Sequence, residues 1–154
     1  MVKIFVYYVA KTKDLSDEIC KEFILLCNAF NAKLEFVNLF CKSIKEGQKC
    51  EVQEAQKSYS KVFIKTFKSN QYKIALSPNG KALDSQSFAN LLRDKLEIAF
   101  FIGGAYGLEE SFVKQCDACV SLSKLTFSHK IAKIVLSEQI YRSLGIINNH
   151  PYHK

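Results

Sequence analysis

Three of the chain's six glycines fall within five residues, Gly103-Gly104-Ala105-Tyr106-Gly107. They follow the most apolar stretch of the sequence, Ile98–Ile102, and precede a helical segment. In α/β sheets the crevice beyond the strand carboxyl ends is the usual ligand site, and glycine lets a ligand approach the backbone closely. The spacing is G-G-x-x-G, which is not the dinucleotide pattern G-x-G-x-x-G, and no G-K-[ST] follows. This is a ligand loop without a phosphate signature, the alternative being a tight turn with no ligand. A second segment, Leu122-Ser123-Lys124-Leu125-Thr126-Phe127-Ser128-His129, mixes hydroxyls, a cation, an aromatic and an imidazole ahead of a long helix. Its hydroxyls and backbone groups suit the polar edge of a purine. The third is Asn148-Asn149-His150-Pro151-Tyr152-His153-Lys154, which holds two of the three histidines. Chain ends are commonly disordered, but this one is rich in proton-transfer and hydrogen-bonding groups, unlike a solubilising tail. No Ser-His-Asp, paired-carboxylate or zinc-type constellation can be assembled from spacing, which disfavours hydrolases.

The elements that must position these segments alternate between strand and helix. Lys3–Ala10 is apolar almost throughout, as in a strand covered on both faces. Asp14 caps the next helix, whose Leu15, Ile19, Phe23, Leu26, Cys27 and Phe30 fall at helical spacing. Lys33–Phe40 is the second strand, and a polar stretch around Lys42–Lys49 leads to a helix over Glu51–Lys68 with Val52, Ala55, Tyr59, Val62, Phe63 and Phe67 on its apolar face. Tyr72–Ser77 is a third strand, closed by a Pro78-Asn79-Gly80 turn. A helix capped by Asp84 or Ser85, a central strand Ile98–Ile102, a short helix Glu109–Gln115 and a strand Ala118–Leu122 follow. The last helix spans His129–Leu144, with Ile131, Ile134, Val135, Ile140, Tyr141 and Leu144 as its apolar positions and Gly145 as its C-terminal cap. The alternation argues an α/β fold with a mainly parallel sheet. No repeat, low-complexity tract or linker divides residues 1–154, so one domain is expected.

The chain of 154 residues carries a net charge of +7, most of it in the N-terminal half. A basic protein of this size is a candidate for a polyanionic partner. Lys57, Lys61, Lys65 and Lys68 lie within ~80° of each other at ~100° per residue, a ridge that either meets phosphates or, as the favoured alternative, is a solvated helix face. The six cysteines, including the C-x-x-C of Cys116 and Cys119, are read as small buried hydrophobes, with no histidine at ligand spacing from the pair. Apolar runs fall far short of the ~20 residues of a membrane span, and the N-terminal apolar run lacks a small-residue cleavage site. A soluble cytoplasmic protein is expected.

Phe101–Leu108, Leu122–His129, Glu138-Gln139-Ile140-Tyr141-Arg142 and the ending His150-Pro151-Tyr152-His153-Lys154 together closely resemble the ribosomal RNA large subunit methyltransferase H family. The motifs occur in the family's order, cover the C-terminal third densely, and agree in total length. The N-terminal half matches in its pattern of elements and in Leu76 before the Pro78–Lys81 turn. The resemblance implies a SPOUT-type α/β fold with a C-terminal trefoil knot, which general topology rules argue against, and a homodimer. It also implies S-adenosylmethionine as methyl donor and no metal. The expected activity is methylation of the imide nitrogen N3 of a pseudouridine in 23S rRNA, in the stem-loop near the decoding centre of the assembled ribosome. Carried over by residue, the donor meets Leu76, Gly103 and the loop Leu122, Ser123, Lys124, Leu125, Thr126 and Phe127. Ser128 stands where the family usually has proline, which is expected to loosen that loop.

The reaction implied is an in-line displacement that needs no enzyme nucleophile, consistent with the lack of one. It does need alignment and a proton acceptor or anion stabiliser. The tail is expected to close over the target base, Tyr152 stacking on it or hydrogen-bonding to it, while His129, Arg142, His150 and Lys154 contact RNA. A non-catalytic basic α/β module that binds ribosomal RNA is the alternative.

Overall fold

A computed structural model describes residues 1–154. Five strands form one sheet in the order β2-β1-β4-β3-β5, with every neighbouring pair parallel. They are β1 (Val2–Tyr8), β2 (Ala32–Asn38), β3 (Tyr72–Ala82), β4 (Glu97–Ile102) and β5 (Ala118–Ser121). The central strand is β4, five of whose six residues are buried, as its apolar run predicts.

Helices cover both faces. On one lie α1 (Leu15–Asn28), α4 (Ser85–Leu92) and α6 (His129–Ile147), packed on Ile4, Val6, Ile74, Phe100 and Ile102. On the other lie α2 (Lys42–Gly47), α3 (Val52–Ile64) and α5 (Glu110–Val113), packed on Tyr7, Ala99 and Phe101. Alternate residues of β4 therefore enter opposite cores. Beneath the second layer Phe63, Phe67, Phe101 and Phe112 form a set of ring contacts with centroids 5.3–5.7 Å apart. Burying each such side chain stabilises the fold by about 1.5–3 kcal/mol.

Several sequence expectations are corrected. The polar stretch after β2 contains a short helix, α2. It has one fully buried apolar anchor, Ile44, too few to produce a helical period. The helix expected to run to Lys68 ends at Ile64, so Lys68 lies beyond it and pairs with Glu97 at 2.9 Å. Lys57 pairs with Glu54 at 3.1 Å, and the basic ridge is therefore interrupted and partly neutralised. Pro78-Asn79-Gly80 does not close β3. The strand makes an excursion between Leu76 and Lys81 and then resumes pairing with β5, because both Leu76 and Lys81 face Val120. Gly145 is not a cap: α6 runs through it to Ile147 and Asn148 caps it.

The buried faces of α1 and α6 also differ from the predicted stripes. In α1, Ser16, Cys20 and Cys27 are buried while Leu15 and Leu26 are exposed. In α6 the buried positions are Lys133, Leu136, Ser137, Ile140, Ser143, Leu144 and Gly145, and Ile131 is exposed. Small and polar residues face inward because the two helices approach closely: the Ser137 hydroxyl donates to Lys133 O and meets Cys20 Sγ at 3.4 Å. The cysteines are all free, but only Cys20 and Cys27 are buried. Cys41 and Cys50 are exposed, at the start of α2 and in the turn after it, and so are not the buried hydrophobes expected, while burial pushes the thiols of Cys27 and Cys116 up to about 12.

Between these helices lies a buried ion pair. Lys133, 1% exposed, donates to Asp17 Oδ1 at 2.8 Å and sits 4.2 Å from the Tyr8 ring centroid. Tyr8 donates to the same carboxylate at 3.3 Å, and burial followed by the Asp17 charge pushes its phenol up to about 12. Burial acts to raise the Asp17 pKa, but the bonds from Lys133 and the Asp14 backbone outweigh it, and the net shift is downward. A carboxylate held below its unfolded pKa of about 3.9 contributes stability that is present above that value and lost as pH falls through the folded one. Asp17→Asn, which strands the buried ammonium, is expected to cost about 3–5 kcal/mol in urea melts at pH 7. Asp17→Leu/Lys133→Met should recover most of it, and a loss under 1 kcal/mol in the single variant would contradict this assignment.

Candidate active site

Beyond the carboxyl ends of β3, β4 and β5 the chain encloses a cleft of about 370 Å³, the size of a small-ligand pocket. Its walls come from three loops: Leu76–Asn79 at the β3 excursion, Ile102–Leu108 after β4, and Ser121–Phe127 without Lys124 after β5. Gln56 of α3 and His129 and Ala132 of α6 complete it. Leu76 is paired to Ile102 on one side and Val120 on the other, so one residue pins all three loops to a common origin.

The glycine loop turns back on itself. Gly107 N–H donates to Gly104 O at 3.0 Å, and Gly107 has φ +71°, a left-handed conformation suited to glycine. A Cβ on Gly103 would fall 2.7 Å from the carbonyl carbon of Gly107. The sequence argument assigns Gly103 to ligand access; the geometry adds that the loop closes only if position 103 has no side chain. Gln56 holds the loop from below by donating to Tyr106 O at 2.9 Å.

The loop after β5 is fixed by serines. Ser121 donates to Ser123 O at 2.8 Å, and Ser123 Oγ accepts from Leu125 N–H at 3.0 Å. Ser128, expected to loosen the loop, caps α6 by accepting from Ile131 N–H at 3.4 Å, and its φ of −60° is one that proline also adopts. Lys124 is exposed and stands outside the cleft wall.

His129 opens α6 and faces this cleft, and so parts company with the other residues assigned to RNA. It is half-buried, and its Nε2 is enclosed without a hydrogen-bond partner in the chain. Burial first, then the Lys133 charge, lowers its pKa, so the imidazole is neutral at pH 7. An enclosed ring nitrogen with no partner, beside a pocket of mixed polar and apolar lining, fits a site whose hydrogen bonding is completed by a ligand.

The remaining candidates gather about 20 Å away, the rise of thirteen helical residues from His129 to Arg142. Glu138 Oε1 accepts from Arg142 Nε at 2.9 Å, from Arg142 Nη2, and from the Tyr152 hydroxyl at 3.1 Å. The Arg142 guanidinium lies 4.7 Å from the Tyr152 ring centroid, and Tyr141 packs on the same ring at 4.6 Å. His153 Nδ1 is 3.4 Å from Arg142 Nη1, and His150 meets Phe30 edge-on at 5.3 Å. The tail returns past Gly145, where a Cβ would make only ordinary contacts with Tyr152 and His150 at 3.8 and 3.9 Å. The tail is thus docked on α6 and, contrary to expectation, does not close over the cleft of its own chain. Burial and the bond to Glu138 raise the Tyr152 pKa, which makes its phenol a donor at neutral pH. Lys154 is exposed.

The sequence places Glu138 in a motif without giving it a role, and Gln56 is not singled out there at all. The i, i+4 spacing of Glu138 and Arg142 on one helix was a readable signal; the position of Gln56 beneath the glycine loop was not.

The chain matches the family model described as a predicted SPOUT methyltransferase over residues 2–153. It is 49% identical to a protein of Nitratiruptor sp. named ribosomal RNA large subunit methyltransferase H, across 100% of both chains. It is 47% identical to the protein of that name from Helicobacter pylori, again over 100% of both. Its identity to the Aliarcobacter butzleri protein of the same name is 46%, over 99% of this chain and 100% of that one.

Proposed function

The chain belongs to the SPOUT methyltransferase family, whose fold brings with it the C-terminal trefoil knot, and we propose that it methylates ribosomal RNA of the large subunit. More narrowly, the methyl group of S-adenosylmethionine goes to the imide nitrogen N3 of a pseudouridine in 23S rRNA of the assembled ribosome. The observation that carries the reading is the convergence of Leu76, Gly103 and the Leu122–Phe127 loop, without the Lys124 side chain, on one cleft. The motif resemblance assigns these same residues to the donor independently of their geometry, and the relatives' names point to the same substrate class.

When bound, the donor supplies an activated methyl on a sulfonium. The protein's part is to hold it by the two loop backbones, to exclude water with Leu76, Ile102 and Phe127, and to keep a neutral imidazole, His129, at the cleft wall. Tyr152, Arg142, His150 and Lys154 then serve the RNA. Because this group lies about 20 Å along α6 from His129, a two-fold homodimer is proposed in which the tail of one copy approaches the cleft of the other. Exposed apolar residues near the cleft support it. Leu15 and Ile131 stand at adjoining helix starts, where Lys130 meets Asp14 at 3.5 Å, and Leu125 is 72% exposed. Sedimentation at micromolar concentration should give about twice 17.5 kDa; an active monomer would reject the dimer.

Transfer of labelled methyl from the donor to assembled ribosomes, compared with free subunits and naked rRNA, tests the whole reading. Incorporation that maps to a pseudouridine N3 is the expected result. A protein that binds ribosomes yet incorporates no label in any of the three would be a binding module instead.

A further inference from the structure

Taking ribosomal RNA as substrate from the reading above, we propose that Lys11, Lys13, Lys42, Lys45 and Lys49 form a cationic shelf beside the donor cleft, on which the phosphate backbone of the RNA rests. Neither the motifs nor the family resemblance assigns these residues, and the sequence pattern points to a different set, the ridge on α3.

The sheet order places the shelf. The loops after β4, β3 and β5 form the cleft, and the neighbouring strands β1 and β2 send their loops out over the same edge. Asn38 ties those two loops together: its side chain accepts from Ala10 N–H at 3.0 Å and donates to Ala10 O at 2.7 Å. Ala10, the residue before Lys11, is thereby tied to Asn38, four residues before Lys42. On α2, Lys42 and Lys45 fall within ~60° at ~100° per residue while Ile44 is buried, and Lys49 follows in the turn just beyond the helix. All five lysines are exposed.

Their charge is largely uncompensated. Lys11, Lys13, Lys45 and Lys49 make no ion pair, and Lys42 has only a 3.9 Å contact with Glu46. Of the nearby acids, Asp14 is engaged with the Ser16 amide and Lys130 and Asp17 with Lys133, which leaves Glu46 and Glu51 against the five lysines. The opposite edge of the sheet differs, since Lys68 and Lys73 there are paired with Glu97 and Asp117. Residues 10–14 and 41–50 expose no large apolar side chain. Charge and hydroxyls without an apolar anchor suit phosphates better than a protein patch or an inserted membrane contact.

The shelf is also joined to the cleft. Gln48, at the end of α2, donates to the Tyr59 hydroxyl at 2.8 Å, and that same hydroxyl lies 2.5 Å from where a Cβ on Gly104 would be. One buried phenol separates the lysine-bearing segment from the glycine loop.

The test is steady-state methylation of ribosomes by Lys11→Gln/Lys13→Gln/Lys45→Gln/Lys49→Gln across a salt series, with donor binding by calorimetry and folding by circular dichroism. Expected are a KM for ribosomes raised at least ~10-fold, kcat at saturation near wild type, and unchanged donor affinity. The slope of log(kcat/KM) against log[salt] should become shallower by about 0.7–0.9 for each phosphate no longer neutralised. The Arg-for-Lys quadruple variant should restore both. Lys45→Gln/Lys49→Gln, which leaves the β1–α1 loop intact, should show a partial change even if the quadruple variant folds poorly. Unchanged KM and slope overturn the shelf, as does an equal effect from Lys57→Gln/Lys61→Gln on α3, which would assign the loss to net charge. A wild-type protein inert on ribosomes would instead defeat the proposed function, and the two failures are distinct.

Discussion

Gly103→Val is expected to lose S-adenosylmethionine binding by at least ~100-fold, which is about 2.7 kcal/mol, and methyl transfer with it. The loss arises inside the loop before any ligand enters. The new Cβ would stand 2.7 Å from the Gly107 carbonyl carbon and 3.0 Å from its Cα. Both are backbone atoms, so the clash can be relieved only by opening the turn that Gly107 N–H closes onto Gly104 O. The branched side chain also stiffens a position that follows directly on β4. Residues 103–107 contribute no side chain to either hydrophobic core, so circular dichroism and the urea midpoint should stay near native. Calorimetry gives the answer: wild-type donor affinity in this variant would remove the glycine turn from the site. Gly103→Ala presents the same Cβ without the branch, and an intermediate loss there would separate closure of the turn from bulk.

Deleting Tyr152–Lys154 is expected to lower ribosome methylation by about two to three orders of magnitude with donor binding little changed. The deletion removes the ring that packs on Tyr141 and lies under Arg142, the imidazole at 3.4 Å from that guanidinium, and an exposed cation. Base stacking on an aromatic is worth about 1–3 kcal/mol, and the missing charge adds to this. Tyr152→Phe separates the ring from the hydroxyl. Because the phenol is protonated and engaged by Glu138, near-normal activity is expected and would assign the ring to stacking. A large loss would assign the hydroxyl to hydrogen bonding with the base or to proton transfer. Full activity in the truncated protein would mean that the tail serves nothing, leaving His129 and Arg142 as the groups to examine.

Most of the cleft wall was legible because the glycine turn and the Leu122–Phe127 loop are two short contiguous segments, and because glycines after an apolar strand have few other uses. Strand types and central β4 were legible for the same reason: burial on both faces leaves an unbroken apolar run. The buried faces of α1 and α6 were not. Hydrophobic spacing picks the most apolar stripe, and here Leu15, Leu26 and Ile131 are exposed while Ser16, Cys20, Lys133 and Ser137 are enclosed. A lysine at 1% exposure can be placed only once Asp17, 116 residues earlier, is known to face it. That His129 and the tail stand apart within one chain was hidden for a simpler reason. Both ends of α6 carry polar, chemically able residues, and sequence proximity does not reveal that a rigid rod holds them apart.

The strand order has a kinetic consequence. The central strand β4 finds its partners β1 and β3 across long stretches of chain: Lys3 pairs with Glu97, and Tyr72 with Ile98. Helix α6 must then cover the face that β1 and β4 have built, supplying Leu136, Ile140 and Leu144 to that core. No hairpin is available as a local nucleus, since every strand pair is parallel. Loop-closure entropy is therefore spent before the contacts that reward it form, which places refolding toward the slow end of the millisecond-to-second range or beyond. Amides of β1 and β4 should be the last to exchange with solvent, opening only when the whole molecule does.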